Sequence, residues 1–236
     1  MHFRLFLLTG TLLAACAAPD RPVETPTAAP RPAARPAASV PDTAAGYAFL
    51  RQTIRLSLAD SYDVRTNDEW FFSRYPYGLT ADIAAKLTAT DTTQKPVVFG
   101  NFRHTPAPVV RDFRQQIQRL DTALQRRLTW DPVKLGQFVF IEDTKARLRP
   151  ELADQVRGVS AAQQVAIRQA IAAWNRGPVA DRFFSYASLP LFSADGQYVL
   201  IVRGQAQQSI GWDSIFIYKR TATGWKILET ARLSTI

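Results

Sequence analysis

Apolar positions follow helical spacing through most of this 236-residue chain and switch to period-two alternation in its last quarter. Asp42 or Thr43 caps a helix running to about Ser57, with Tyr47, Leu50, Ile54 and Leu58 on one side. Leu79-Thr80 ahead of Ala81 to Leu87 predicts a second, short helix, and Pro96 to Phe99 a short strand. The clearest helix is expected from about Val110 to Leu128, with a stripe of Phe113, Ile117, Leu120, Leu124 and Leu128, ended by Asp131-Pro132. Phe138 to Ile141 predicts a buried strand. Ser160 with Gln163 forms a capping box for a helix that buries Ile167, Ile171 and Trp174 and stops at Gly177-Pro178. Four strands follow, Arg182 to Ser188, Gln197 to Arg203, Asp213 to Arg220 and Trp225 to Leu233, with Asp195-Gly196 and Thr221 to Gly224 as turns. The expected fold is α+β: helices packed on a C-terminal antiparallel four-stranded β-meander.

The N-terminus obeys a different rule. Leu5 to Leu13 is largely apolar, Ala14-Ala15 supplies small residues, and Cys16, the single cysteine, follows at once. Basic start, apolar middle and small-residue site form an export signal. The apolar run falls short of the roughly 20 residues that span a bilayer. Leu13-Ala14-Ala15-Cys16 resembles the lipobox of bacterial lipoproteins. That resemblance implies a signal peptide over 1–15, diacylglycerol on the Cys16 thiol and an acylated new N-terminus. Ala17 rather than Asp after the cysteine implies, in the lipoproteins of two-membrane bacteria, transfer to the outer membrane, on its periplasmic face or at the cell surface. Residues 16–42 hold seven of the fifteen prolines and no aromatic residue, so a disordered tether is expected there. Residues 43–236 remain for one globular α+β domain.

Charge and side-chain inventory narrow the chemistry. The formal net charge is +9, and from residue 45 onward 25 Lys and Arg face 17 Asp and Glu. Arg111, Arg114, Arg119 and Arg126 lie off the stripe of the long helix, so a membrane-tethered domain could dock on anionic lipid or acidic envelope polymers; a plain solvated face is the alternative. No motif suggests nucleic acid. After His2 the only histidine is His104, in a loop-like stretch; with one cysteine besides, no metal site and no cofactor are expected. Gly204 and Gly211 are isolated and form no phosphate-binding pattern. Carboxylate pairs occur at Asp68-Glu69 and Glu142-Asp143, and sequence neighbours on a strand point to opposite faces.

Two stretches are candidates for binding. Trp70-Phe71-Phe72-Ser73-Arg74-Tyr75-Pro76-Tyr77 packs five aromatics into eight residues, a platform with Trp70, Tyr75 and Tyr77 for stacking and Arg74 for bidentate hydrogen bonds. Its structural alternative is a core strand with alternate rings buried. Gly204 to Trp212 reads as a polar loop tipped by Trp212, with a wide hairpin connection as the alternative.

Ser188-Leu189-Pro190-Leu191-Phe192-Ser193, Asp195-Gly196 and Trp225-Lys226 together resemble the C-terminal portion of small uncharacterised exported bacterial proteins, a likeness that supports a sheet and carries no activity. The same Pro-Leu-Phe-Ser-Ala-Asp-Gly run resembles the opening of a β-propeller blade, but it occurs once and a propeller needs several. The expected role is a lipid-anchored envelope protein, a non-enzymatic binding or structural module whose partner is an envelope protein, a glycan or anionic lipid. The alternative is a hydrolase that cleaves envelope polymers with carboxylates.

Overall fold

The computed structural model describes residues 43–59, 70–87, 102–207 and 210–235. All belong to one compact unit that spans Ala37–Ile236. Cys16, the tether, the strand expected at Pro96 to Phe99, and Asp68-Glu69 lie outside the described residues.

The architecture is α+β around a mixed seven-stranded sheet. Helix α1 (Thr43–Ala59) precedes strand β1 (Phe71–Ser73) and helix α2 (Ala81–Lys86). Helices α3 (Ala107–Arg119), α4 (Thr122–Gln125) and α5 (Pro132–Leu135) lead to β2 (Val139–Ile141). A 3₁₀ turn at Pro150–Gln155 and helix α6 (Ala161–Arg176) come next. The chain ends with β3 (Phe183–Ala187), β4 (Leu191–Phe192), β5 (Tyr198–Gln207), β6 (Ile210–Thr221) and β7 (Gly224–Thr235).

The strands run in the order β2-β1-β3-β5-β6-β7, with β4 also paired to β5. From β3 to β7 the pairs are antiparallel, whereas β1 is parallel to both β2 and β3. The C-terminal strands are therefore continued by two strands from earlier in the chain. The reason lies in Phe71 and Phe72, which are 3% and 1% exposed and point to opposite faces, as expected of a parallel strand covered on both sides. One face carries Phe72, Ile201, Phe216 and Tyr218 against Tyr47, Phe49, Leu50 and Ile54 of α1 and Leu135 of α5. The other carries Leu200, Val202, Ile215 and Ile217 against Ile83 of α2 and Phe113 and Ile117 of α3. On that second face, Ile167, Ile171 and Trp174 of α6 cover Phe71, Val139 and Ile141. Fully burying each such apolar side chain stabilises the fold by about 1.5–3 kcal/mol.

Two local expectations are corrected. The long helix breaks at Leu120, whose backbone turns extended, because Asp121 accepts hydrogen bonds from the N–H groups of Ala123 and Leu124 and starts α4. In the polar stretch Gly204 to Trp212, residues 204–207 belong to β5 and 210–212 to β6, with Gln205 paired to Trp212 and Gln207 to Ile210. Gln205 is buried, so a polar side chain holds a core position and masks the alternation. The α6 capping box forms as read, with Ser160 Oγ accepting from Gln163 N–H and the Gln163 side chain accepting from Ser160 N–H.

Candidate functional site

A polar cleft of about 350 Å³ lies at the β2 edge of the sheet. Its walls are the outer side of Phe138 to Phe140, Arg74 at the end of β1, and the segment from Glu142 to Gln155. Arg74 is fixed through its backbone: its N–H donates to Ile141 O at 2.8 Å, and its carbonyl accepts from Trp130 N–H at 2.8 Å. Its Nη1 pairs with Glu142 Oε1 at 3.1 Å. Arg74 Nε is buried and has no hydrogen-bond partner.

The segment opposite is held from behind. Asn175 of α6 accepts from Leu148 N–H and donates to Leu148 O, both at 2.8 Å. Arg182 donates to Thr144 O and Ala146 O, and Trp174 Nε1 donates to Ala146 O at 3.3 Å. Asp143 closes the turn by accepting from Lys145 N–H at 2.8 Å. Arg147 and Arg149 are thus exposed on a braced loop beside the cleft, and neither is in an ion pair among the described residues. Of the two carboxylates present, Glu142 is paired with Arg74 and Asp143 holds its own turn. The uncommitted charge in the cleft is positive.

The cleft also exposes a strand edge. Val139 N–H donates to Trp70 O at 2.7 Å, and Ile141 O accepts from Arg74 N–H. Parallel pairing uses alternate residues, so Val139 and Ile141 face β1 while the amide and carbonyl of Phe140 point outward. The arrangement offers backbone hydrogen-bonding groups and three guanidinium groups to one ligand.

A second polar cluster lies at the far side of β3. Tyr77 and Tyr186 stack with ring centroids 5.3 Å apart. Both hydroxyls donate to the buried carboxylate of Asp213, Tyr77 at 3.0 Å. Burial, then the charge of Asp213, pushes the Tyr77 phenol from 10.0 up to about 12. Burial and the bond to Asp213 push Tyr186 up further. Gly204 makes room: a Cβ there would lie 2.5 Å from Tyr186 Oη and closer still to Trp212 O. Asp213 is only 4% exposed and accepts from both phenols, so this cluster is a closed structural tie rather than an open reaction centre.

The five residues singled out from the sequence do not share one surface. Arg74 lines the cleft. Trp70 is half-buried and packs on the cluster beneath α6. Tyr75 is 47% exposed at the turn after β1. Tyr77 belongs to the Asp213 cluster, and Trp212 lies within β6, half-buried opposite Gln205. Phe71 and Phe72 are core residues, and Trp70, Tyr75 and Tyr77 are not brought together into one stacking platform. Arg147, Arg149, Tyr186 and Asp213 were missed. A clue existed for Asp213, an acid leading the apolar run of β6. For the two arginines no local signal distinguishes them from other surface charges. His104 is exposed, and only its backbone N–H is engaged, donating to Glu229 Oε1 at 2.6 Å.

Among the described residues no helix is long and apolar enough to cross a membrane, and no three metal-type side chains are grouped. No family model matches this chain, and no curated protein or solved structure matches it either.

Proposed function

We propose that this chain is a lipid-anchored cell-envelope protein whose globular domain binds an extended, carboxylate-bearing peptide segment in the cleft beside β2. The observation that carries the binding role is the cleft itself: unpaired Arg147 and Arg149 and half-committed Arg74 surround an open strand edge. Strand addition at a sheet edge uses main-chain hydrogen bonds for affinity and flanking side chains for selectivity. Arginine suits the second task because its planar fork grips a carboxylate through two hydrogen bonds. We read β3, β5, β6 and β7 as an antiparallel meander that serves as the rigid frame, with the cleft hung from its parallel extension.

The anchor rests on Leu13-Ala14-Ala15-Cys16, and the Pro-rich segment after it serves as the spacer from an outer-membrane surface. At about 3.1 Å per residue such a spacer reaches at most roughly 80 Å. Of the carboxylate pairs read from the sequence, Glu142 and Asp143 are the one among the described residues, and there Glu142 pairs with Arg74 and Asp143 accepts from Lys145 N–H.

Two measurements test the reading separately. Cys16→Ala should abolish incorporation of a fatty-acid analogue and leave the signal peptide uncut; unchanged labelling refutes the anchor. A fluorescein-labelled peptide of alternating Val and Glu should bind saturably by anisotropy, with affinity falling steeply as salt rises. No saturation at millimolar protein refutes the cleft as a peptide site.

A further inference from the structure

Arg203 is a deeply buried arginine on the α1 face of the sheet, 5% exposed, and has no carboxylate partner among the described residues. Its guanidinium donates to Ile54 O at 2.6 Å, to Tyr218 Oη at 3.3 Å and, at 3.5 Å, to Thr53 O. All three acceptors are neutral, so the charge is hydrogen-bonded but not compensated by any described residue. Asp213 does not supply the counter-charge. It pairs across the strands with Gly204, not with Arg203, and therefore projects from the opposite face. Glu229 is engaged by Thr105 and the His104 amide.

Beside Arg203 lies a small pocket bounded by Ser185, Gln205, Trp212, Phe216 and Ile54. Its free space is about 10 Å³, room for one water-sized body. Ser185 and Gln205 are cross-strand partners, and Gln205 follows Arg203 by two positions, so all three side chains share one face. Ser185 and Gln205 are each 4% exposed, and Ser185 Oγ and Gln205 Nε2 have no hydrogen-bond partner. A buried donor left unpaired costs about 1–3 kcal/mol, and a buried charge without a counter-charge costs more. Two idle donors and an uncompensated cation around a one-particle cavity leave one thing missing, a small negative charge.

We propose that this cavity binds a single monovalent anion of chloride size, held by Arg203, Ser185 Oγ and Gln205 Nε2. Because Arg203 also holds the carbonyls of Thr53 and Ile54, the anion would fasten α1 to β5. Water could satisfy the donors but would leave the charge unbalanced, and the free space matches one small ion better than a carboxylate-bearing metabolite. Crystals of the full chain in sodium bromide should show an anomalous peak within hydrogen-bond reach of Ser185 Oγ and Gln205 Nε2. Exchanging sodium gluconate for sodium chloride at constant ionic strength should raise the unfolding midpoint by roughly 3–6 °C, the response to about tenfold saturation. Ser185→Ala, which keeps the volume nearly unchanged, and Gln205→Leu should each remove that rise. A peak-free cavity filled by water, or equal midpoints in the two salts, would overturn the proposal.

Discussion

Gly204→Ala removes no contact seen in the structure, yet it should be among the most destabilising single changes in the sheet. A Cβ at this position meets Tyr186 Oη at 2.5 Å and ring carbon Cζ at 2.6 Å, and the carbonyl of Trp212 is closer still. Neither neighbour yields easily. Trp212 O is backbone within the β5–β6 pair, and Tyr186 is clamped between the ring of Tyr77 and the carboxylate of Asp213. Overpacking a tight interior costs about 1–3 kcal/mol. Displacing Tyr186 adds the loss of a hydrogen bond to a charged acceptor, about 1.5–3 kcal/mol. The expected total is about 3–5 kcal/mol. Urea denaturation followed by tryptophan fluorescence should show the drop as a lower midpoint with an unchanged slope. Tyr186→Leu empties part of the space, so the double variant should lose less than the sum of the singles, by about 1–2 kcal/mol. A Gly204→Ala protein within 0.5 kcal/mol of the parent, or strict additivity in the cycle, would refute the close-approach account.

Two further outcomes follow from buried polar groups. Tyr77 ionises at about 12 in the folded protein against 10.0 when exposed, and Tyr186 shifts the same way. Below pH 10 both states are protonated and the full stability is present; above it the unfolded chain ionises first, so stability should fall from about pH 10 through 12. Urea midpoints at pH 9, 10 and 11 should show that decline, and Tyr77→Phe with Tyr186→Phe should flatten it; an unchanged slope in the double variant would count against the assignment. Gln125 spans Leu79 with both ends of its amide, accepting from the N–H at 2.8 Å and donating to the carbonyl at 3.2 Å. Gln125→Ala strands two buried backbone groups and should cost about 2–4 kcal/mol by urea denaturation, with a loss under 1 kcal/mol speaking against it.

Where the determinants are local, the chain is readable. Helix α6 needs only Ser160 with Gln163, an apolar stripe and Gly177-Pro178, and all of these lie within twenty residues of one another. The break between α3 and α4 is also local, but Asp121 had to be chosen as a cap over an unbroken apolar stripe. The β5–β6 stretch misled for a different reason: its inward positions carry Arg203, Gln205 and Asp213, so burial and polarity part company. The parallel placement of β1 between β2 and β3 has no short-range signature at all. It joins Phe71 to Val139 and Phe72 to Ser185, across distances only tertiary packing can set. The cleft shares that origin. Arg74 stood out by its aromatic neighbours, but its partner Glu142 is 68 residues away, and Arg147 and Arg149 become relevant only because Asn175 and Arg182 brace their loop.

Charge reversal in the cleft tests the binding role most directly. Arg147→Glu with Arg149→Glu leaves the Leu148 anchor on Asn175 intact, since that anchor uses backbone groups. Titration with two labelled peptides, one alternating Val and Glu and one alternating Val and Lys, should show the parent preferring the Glu peptide by at least about tenfold, or 1.4 kcal/mol. The double variant should lose that peptide and gain the Lys peptide. Equal binding of the Glu peptide by both proteins would contradict the cleft as the ligand site.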